Sequence, residues 1–162
     1  MKICGIVGWK NSGKTFLVRK LITHFKTLNL KVASIKHAHH NFDIDKPGTD
    51  SFYHREAGSE QIIISSSKRW AKIVELEKTK EKKLFELIKE FKKPDIVIVE
   101  GFKYEKHPKI EIISEKIEYS NYLFPNLENV IGIVTEKKIN TSIIQFKINQ
   151  IDIIAQHILK NT

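Results

Sequence analysis

Residues Gly8-Trp9-Lys10-Asn11-Ser12-Gly13-Lys14-Thr15 read G-x-x-x-x-G-K-T, set between the apolar run Ile3-Cys4-Gly5-Ile6-Val7 and a helical pattern that begins near Lys14. This is a P-loop in the strand-to-helix context that its chemistry requires. Gly8 and Gly13 let the backbone turn tightly, so that successive N–H groups around Asn11 and Ser12 can point inward at the phosphates of a nucleotide. A phosphate held there meets unpaired N–H donors and the positive end of a helix dipole. Lys14 is placed to reach the β- and γ-phosphates, and the Thr15 hydroxyl to take a position on Mg²⁺.

Working outward, 162 residues suit one domain with a real core, and a single unit over 1–162 is expected. The 41% apolar and 29% charged content is that of a soluble globular chain, and no apolar run approaches the roughly 18 residues of a membrane-spanning helix. A strand starting at residue 2 leaves no room for a removable signal segment, so a cytoplasmic protein is expected. The lone cysteine, Cys4, lies inside the first apolar strand and reads as a buried, inert thiol. The formal charge of +9 is mostly lysine in mixed-sign stretches, without an arginine-rich block or an aromatic-interleaved basic patch. That argues against a dedicated nucleic-acid binder and fits a polyanionic small molecule or an acidic protein partner.

After the first strand (2–8), a helix over about 14–28 carries Leu17, Leu21, Phe25 and Leu28 at helical spacing, with Asn29 as a residue to end it. Lys31 to Ile35 completes a βαβ unit. The next stretch, Lys36 to Ser51, holds three histidines, His37, His39 and His40, and three aspartates, Asp43, Asp45 and Asp50. It follows the carboxyl end of a strand, where open α/β sheets bind ligands. Three readings of it stand: a switch loop with Asp50 near the nucleotide's Mg²⁺ and the histidines on anionic substrate, a transition-metal site of non-standard spacing, or a solvated loop. Thr49 or Asp50 caps a short helix to Ala57, ended by Gly58.

Gln61 to Ser65 and Trp70 to Leu76 read as two strands of a hairpin through Ser66-Ser67-Lys68. Leu84, Leu87, Ile88 and Phe91 predict an amphipathic helix over Lys80–Lys92, broken by Pro94. The run Asp95-Ile96-Val97-Ile98-Val99-Glu100-Gly101 is a buried parallel strand ending in an acid and resembles a Walker B strand. Glu100 lies at its mouth, whereas Asp95 starts it about 17 Å away, so Glu100 is the carboxylate to hold Mg²⁺ through water or to position attacking water. Lys103, Lys106 and Lys109 are candidates to face an anionic ligand. Residues 115–128 carry no assignable pattern; Val130 to Thr135 is a last strand and 150–160 a last helix. The whole reads as a three-layer α/β P-loop NTPase-like fold, a mostly parallel sheet with flanking helices and a β-hairpin.

Together these stretches resemble the molybdopterin-guanine dinucleotide biosynthesis protein B family of P-loop GTP-binding proteins. The resemblance runs over nearly the whole chain. It rests on Gly8 to Thr15, on Ile35-Lys36-His37-Ala38-His39-His40 continuing through Ser51, on Ala57-Gly58, on Val99-Glu100-Gly101-Phe102-Lys103 and on Pro108-Lys109-Ile110-Glu111. It implies a GTP- and Mg²⁺-binding accessory or adaptor protein in molybdenum cofactor biosynthesis. Such a protein is a weak GTPase, a homodimer and a partner of a MobA-like molybdopterin guanylyltransferase and of molybdopterin itself. Carried over, Gly8, Asn11, Ser12, Gly13, Lys14 and Thr15 hold the phosphates. Thr15, Asp50 and Glu100 serve the metal, Glu100 and Asp50 the hydrolysis, and His37, His39, His40 and Lys103 line the phosphate or pterin side. Where the family often carries an arginine after P-K-I-E, this chain has Ser114. Where guanine-specific GTPases carry N/T-K-x-D, it has Thr135-Glu136-Lys137-Lys138, without the aspartate. A P-loop small-molecule kinase or general NTPase is the alternative. Only Arg19, Arg55 and Arg69 are available as arginines, so slow intrinsic turnover is expected.

Overall fold

The computed structural model describes all residues except 39–41, 77–80 and 117. The described residues divide into two compact units, Met1–His37 with Leu84–Thr162, and Ala38–Lys83.

In chain order the first unit contributes β1 (Lys2–Val7), α1 (Lys14–Thr27) and β2 (Val32–Lys36). The second supplies α2 (Asp50–Glu56), β3 (Gln61–Ser65) and β4 (Trp70–Val74). The first unit then resumes with α3 (Leu84–Ile88), β5 (Ile96–Glu100), β6 (Lys109–Ile113), β7 (Val130–Thr135), β8 (Gln145–Phe146) and α4 (Ile151–Asn161). Its sheet runs β2-β5-β1-β6-β7-β8 with every neighbouring pair parallel.

Two apolar layers cover this sheet, which is why its central strands read as unbroken apolar runs. Side chains alternate along β5: Ile96 and Ile98 pack with Leu17, Leu21 and Phe25 of α1 and Ile154, Ala155 and Ile158 of α4, while Val97 and Val99 pack with Ile35 and Leu84 on the opposite face. Burial of such a residue contributes about 1.5–3 kcal/mol, an upper figure against a compact unfolded chain. The helix α1 ends as its sequence foretold. Asn29 takes a left-handed φ of 58°, and the N–H groups of Asn29 and Leu30 return to the carbonyls of Lys26 and Phe25. That closes a Schellman turn around a residue that tolerates this conformation.

The helix expected over 80–92 is one turn, Leu84–Ile88. Residue 80 lies outside the described residues and 81–83 are irregular. Lys82 and Lys83 bring cations to a helix start, where the dipole favours anions, and Lys83 offers no capping oxygen. At the other end Lys93 adopts a φ of 44° before Pro94. The apolar stripe survives the shortening, with Leu84 buried and Leu87, Ile88 and Phe91 packed beside it. Missing from the sequence reading are the short edge strand β8 and two 3₁₀ turns at Tyr119–Asn121 and Phe124–Asn126.

Within the second unit, Thr49 caps α2 by accepting the Phe52 N–H at 3.4 Å, and Gly58 follows the helix at φ 97°. The hairpin pairs Gln61 with Val74 through Ser65 with Trp70, antiparallel, and the Ser66 N–H closes its turn on the Arg69 carbonyl at 2.9 Å. Trp70 is 69% exposed.

Candidate functional site

The loop from Gly8 to Thr15 joins the end of β1 to the start of α1. Gly8 stands at φ 148° against the backbone of β6, where a Cβ would come within 2.5 Å of the Ile112 carbonyl oxygen and 2.8 Å of the Ser12 hydroxyl. Gly13 is the residue before α1 at φ 101°, and Asn11 turns at φ 61°. Both motif glycines therefore sit where a side chain is excluded by conformation, by contact or by both. The Ser12 N–H bonds the Trp9 carbonyl at 3.2 Å, and that carbonyl also accepts the Lys14 ammonium at 2.7 Å.

The strands then bring Glu100 to this loop. Glu100 ends β5 in register with Ile6 of β1 on one side and Lys36 of β2 on the other. Its carboxylate accepts the Thr15 hydroxyl, 3.0 Å to Oε1 and 3.3 Å to Oε2. Burial pushes the Lys14 ammonium below its ordinary pKa, Glu100 pulls it back up, and Lys36 adds to the depression. The site thus gathers two cations and one carboxylate at a helix N-terminus, an arrangement that favours a polyanion with its counter-cation. A hydroxyl and a carboxylate in contact are the hard oxygen donors that Mg²⁺ takes alongside phosphate oxygens and water, so the residues present fit that ion.

His37 and Lys103 flank the same mouth. The His37 N–H extends the ladder to the Glu100 carbonyl at 2.8 Å, and its ring stacks on Phe102 with centroids 4.3 Å apart at 18°. Gly101, at φ 102°, makes room: a Cβ there would lie 2.7 Å from that of His37. The V-E-G-F-K run is therefore one packing unit, with Glu100 turned to Thr15 and Phe102 under the histidine. Lys103 lies over the Trp9 ring at 5.4 Å and the Tyr104 ring at 4.9 Å. The Trp9 indole N–H bonds the Asn121 carbonyl, which ties the glycine loop to a segment that the sequence left unassigned.

Of the other expected site residues, His39 and His40 lie outside the described residues. Asp50 is the exposed first residue of α2 in the second unit. In that unit Arg55 pairs with Asp43 at 2.9 Å, and Ser51 donates to the buried Asp45 at 3.0 Å. Among the described residues no group of three His, Cys, Asp or Glu side chains is placed to hold a metal ion.

Lys109 does not face a ligand. It is fully buried, its ammonium donating to the carbonyls of Glu105, His107 and Glu128 at 2.7–2.8 Å. Glu111, also fully buried, accepts the N–H groups of Leu123 and Phe124 at 2.9 and 2.7 Å. Burial raises its carboxyl pKa and those two bonds oppose the rise. The P-K-I-E run is thus an internal brace for the chain around β6. Ser114, in the place of an arginine, accepts the Lys116 N–H at 3.3 Å. His107 fills the space over Gly5, where its imidazole nitrogens find no partner among the described residues; burial first, then the charge of Lys109, pushes it down to about 4. Cys4 is the inert thiol expected, pushed up to about 12 by burial that Lys109 only partly offsets.

A parallel sheet whose first strand feeds a glycine loop, with a carboxylate on the neighbouring strand meeting the loop's threonine, defines a P-loop-like α/β protein. The profile of the family described as "Molybdopterin guanine dinucleotide synthesis protein B" matches residues 3–136, and the chain belongs to that family. It is similar to the molybdopterin-guanine dinucleotide biosynthesis adapter protein of Haemophilus influenzae, 37% identical over 96% of this chain and 86% of that one. The adapter protein of Escherichia coli is 31% identical over 98% and 91%. The crystal structure of a MobB protein homolog from Bacillus stearothermophilus superposes with a TM-score of 0.76 at 17% identity, covering 99% of both chains, which supports the fold. Among the described residues no helix is long and apolar enough to cross a membrane.

Proposed function

We propose that this chain is an adaptor in molybdenum cofactor biosynthesis, in the making of molybdopterin guanine dinucleotide, and that it works by binding Mg·GTP on Gly8–Thr15 with only weak GTPase activity. The observation that carries this reading is the Thr15–Glu100 hydrogen bond at the mouth of the glycine loop. It joins the two oxygen donors that a nucleotide-bound Mg²⁺ takes from the protein. Lys14, with Asn11, Ser12 and Gly13, holds the phosphates, and His37 and Lys103 line the anionic side. Asp50 completes the switch segment, with 1–162 acting as a single nucleotide-binding domain. The adaptor names of its relatives support a MobA-like guanylyltransferase as partner, with molybdopterin close by. A cytoplasmic homodimer is the form proposed.

Slow turnover follows from the arginines. A positioned arginine is worth about 10³–10⁵ in phosphoryl transfer to water, yet Arg55 is engaged with Asp43 and Arg19 is exposed on α1. Hydrolysis by the isolated chain on the order of tens per second would overturn the slow-turnover claim. The direct test is calorimetric titration of Mg·GTP, Mg·ATP and Mg·GDP into the wild type and Lys14→Ala. GTP binding that needs Mg²⁺ and disappears in the variant is expected. Equal affinity for ATP points to a general NTPase or kinase, and an absence of nucleotide binding removes the reading.

A further inference from the structure

The net charge of this chain is concentrated at one end of its sequence. Residues 1–42 hold eight of its 28 Lys and Arg residues and none of its 19 Asp and Glu residues, so they carry eight of its nine net positive charges. Residues 43–162 hold 20 cations against all 19 acids. A local excess of one sign marks a surface that meets the opposite sign elsewhere.

Part of that excess serves the glycine-loop site, where Lys14 and Lys36 stand. The rest lies largely on α1, which contains no acidic residue. Its inward face is Leu17, Val18, Leu21 and Phe25, all buried, whereas Phe16, Arg19, Lys20, Thr23, Lys26 and Thr27 are exposed. Those six positions follow helical spacing and form one face about 16 Å long. Among the described residues no carboxylate pairs with Arg19, Lys20 or Lys26. Lys20 instead lies over the half-exposed Phe16 ring at 5.6 Å, and Lys26 donates to the Leu30 carbonyl at 3.2 Å. An exposed helix ordinarily mixes signs, since carboxylates four residues from its lysines stabilise it. The folding of α1 therefore does not account for this composition.

We propose that the outward face of α1 docks an acidic surface of a protein partner, with Phe16 and Arg19 as its anchors. This rests on the adaptor reading above and names the surface that meets the guanylyltransferase. Phe16 follows Thr15 directly, which sets the partner beside the proposed nucleotide site.

Charge and residue type select the occupant. A second copy presenting the same face would set cations against cations. A membrane surface takes a helix with an apolar stripe outward, and Phe16 is the one apolar side chain among these six. Nucleic acid is met by longer runs of cations that track its phosphates. Three cations around a phenyl ring, with small threonines between them, match a protein interface, where aromatic and arginine side chains seat in the partner's pockets.

The test is calorimetric titration of the full chain with the MobA-like guanylyltransferase of the same organism. The wild type should bind it, more weakly as salt rises. Arg19→Glu with Lys20→Glu should weaken binding about tenfold to a hundredfold, and Phe16→Ala about tenfold. Lys68→Glu with Lys92→Glu makes the same change in net charge at exposed sites off this helix, and should weaken binding by less than about threefold. All variants should keep Mg·GTP affinity and the wild-type urea midpoint, which separates a lost surface from a lost fold. Transferase binding that the α1 variants leave intact, or that the control pair weakens as much, overturns this inference and leaves the adaptor reading standing. So does binding of a short DNA duplex, or of phosphatidylglycerol vesicles, that the α1 pair abolishes while transferase binding persists. A wild type that does not bind the transferase removes both.

Discussion

Two lysine–glutamate pairs flank β1, and they do opposite things. Lys14 and Glu100 stand at the mouth of the sheet, where the ammonium rests on a loop carbonyl and the carboxylate on a hydroxyl. Lys109 and Glu111 stand on β6, fully buried, bonded to backbone groups of three other segments. The first pair's partners lie at exposed positions, so on the nucleotide reading proposed above they give way to phosphate and Mg²⁺. The second pair's cannot, because both side chains are fully buried and these bonds are what satisfies a charged group there. A charged residue beside a glycine loop therefore belongs to a ligand site only where its own partners are replaceable.

The comparison is broken most forcefully at Glu111. Glu111→Ala leaves the N–H groups of Leu123 and Phe124 without their acceptor and should lower the unfolding free energy by about 3 kcal/mol in urea denaturation. Glu111→Gln, which keeps one acceptor oxygen, should recover part of it. At the mouth the balance reverses. Glu100→Gln should weaken Mg²⁺-dependent GTP binding about tenfold to a hundredfold, by titration calorimetry at fixed Mg²⁺, with a stability change within about 1 kcal/mol. A stability loss matching that of Glu111→Ala would erase the distinction.

Two smaller effects sharpen it through pH. Lys14 has its ammonium pKa lowered by burial, so GTP affinity should begin to fall, as pH rises, earlier than an ordinary lysine would require. Lys14→Arg should flatten that alkaline limb, provided the guanidinium still reaches the phosphates. His107 titrates near 4 in the fold, below its ordinary 6.5. Folding therefore favours the neutral ring. The stability this contributes is complete above about pH 6.5 and is lost as pH falls from there toward 4. Denaturant midpoints across pH 4–7 should show a shallower acid limb in His107→Gln than in the wild type, with GTP binding at pH 7.5 unaltered.

The sequence by itself determined whatever depends on neighbours along the chain. Gly8, Gly13 and Gly58 adopt conformations that ordinary side chains resist, Thr49 caps the helix that follows it, and Asn29 closes α1. The hairpin from Gln61 shows in its apolar runs and serine turn, and the buried run of β5 shows that Glu100 must surface at a mouth. These are local choices of φ, of hydrogen bonding a few residues away, and of periodicity. Tertiary structure alone decided the rest. Lys109 looked like a ligand-facing lysine because its partners, the carbonyls of Glu105, His107 and Glu128, carry no side-chain signature. The Trp9 bond to the Asn121 carbonyl, the two-residue strand β8 and the single turn of α3 were equally unreadable. The physical reason is common to them. Backbone groups are the same at every position, so only the fold determines which of them a distant side chain meets.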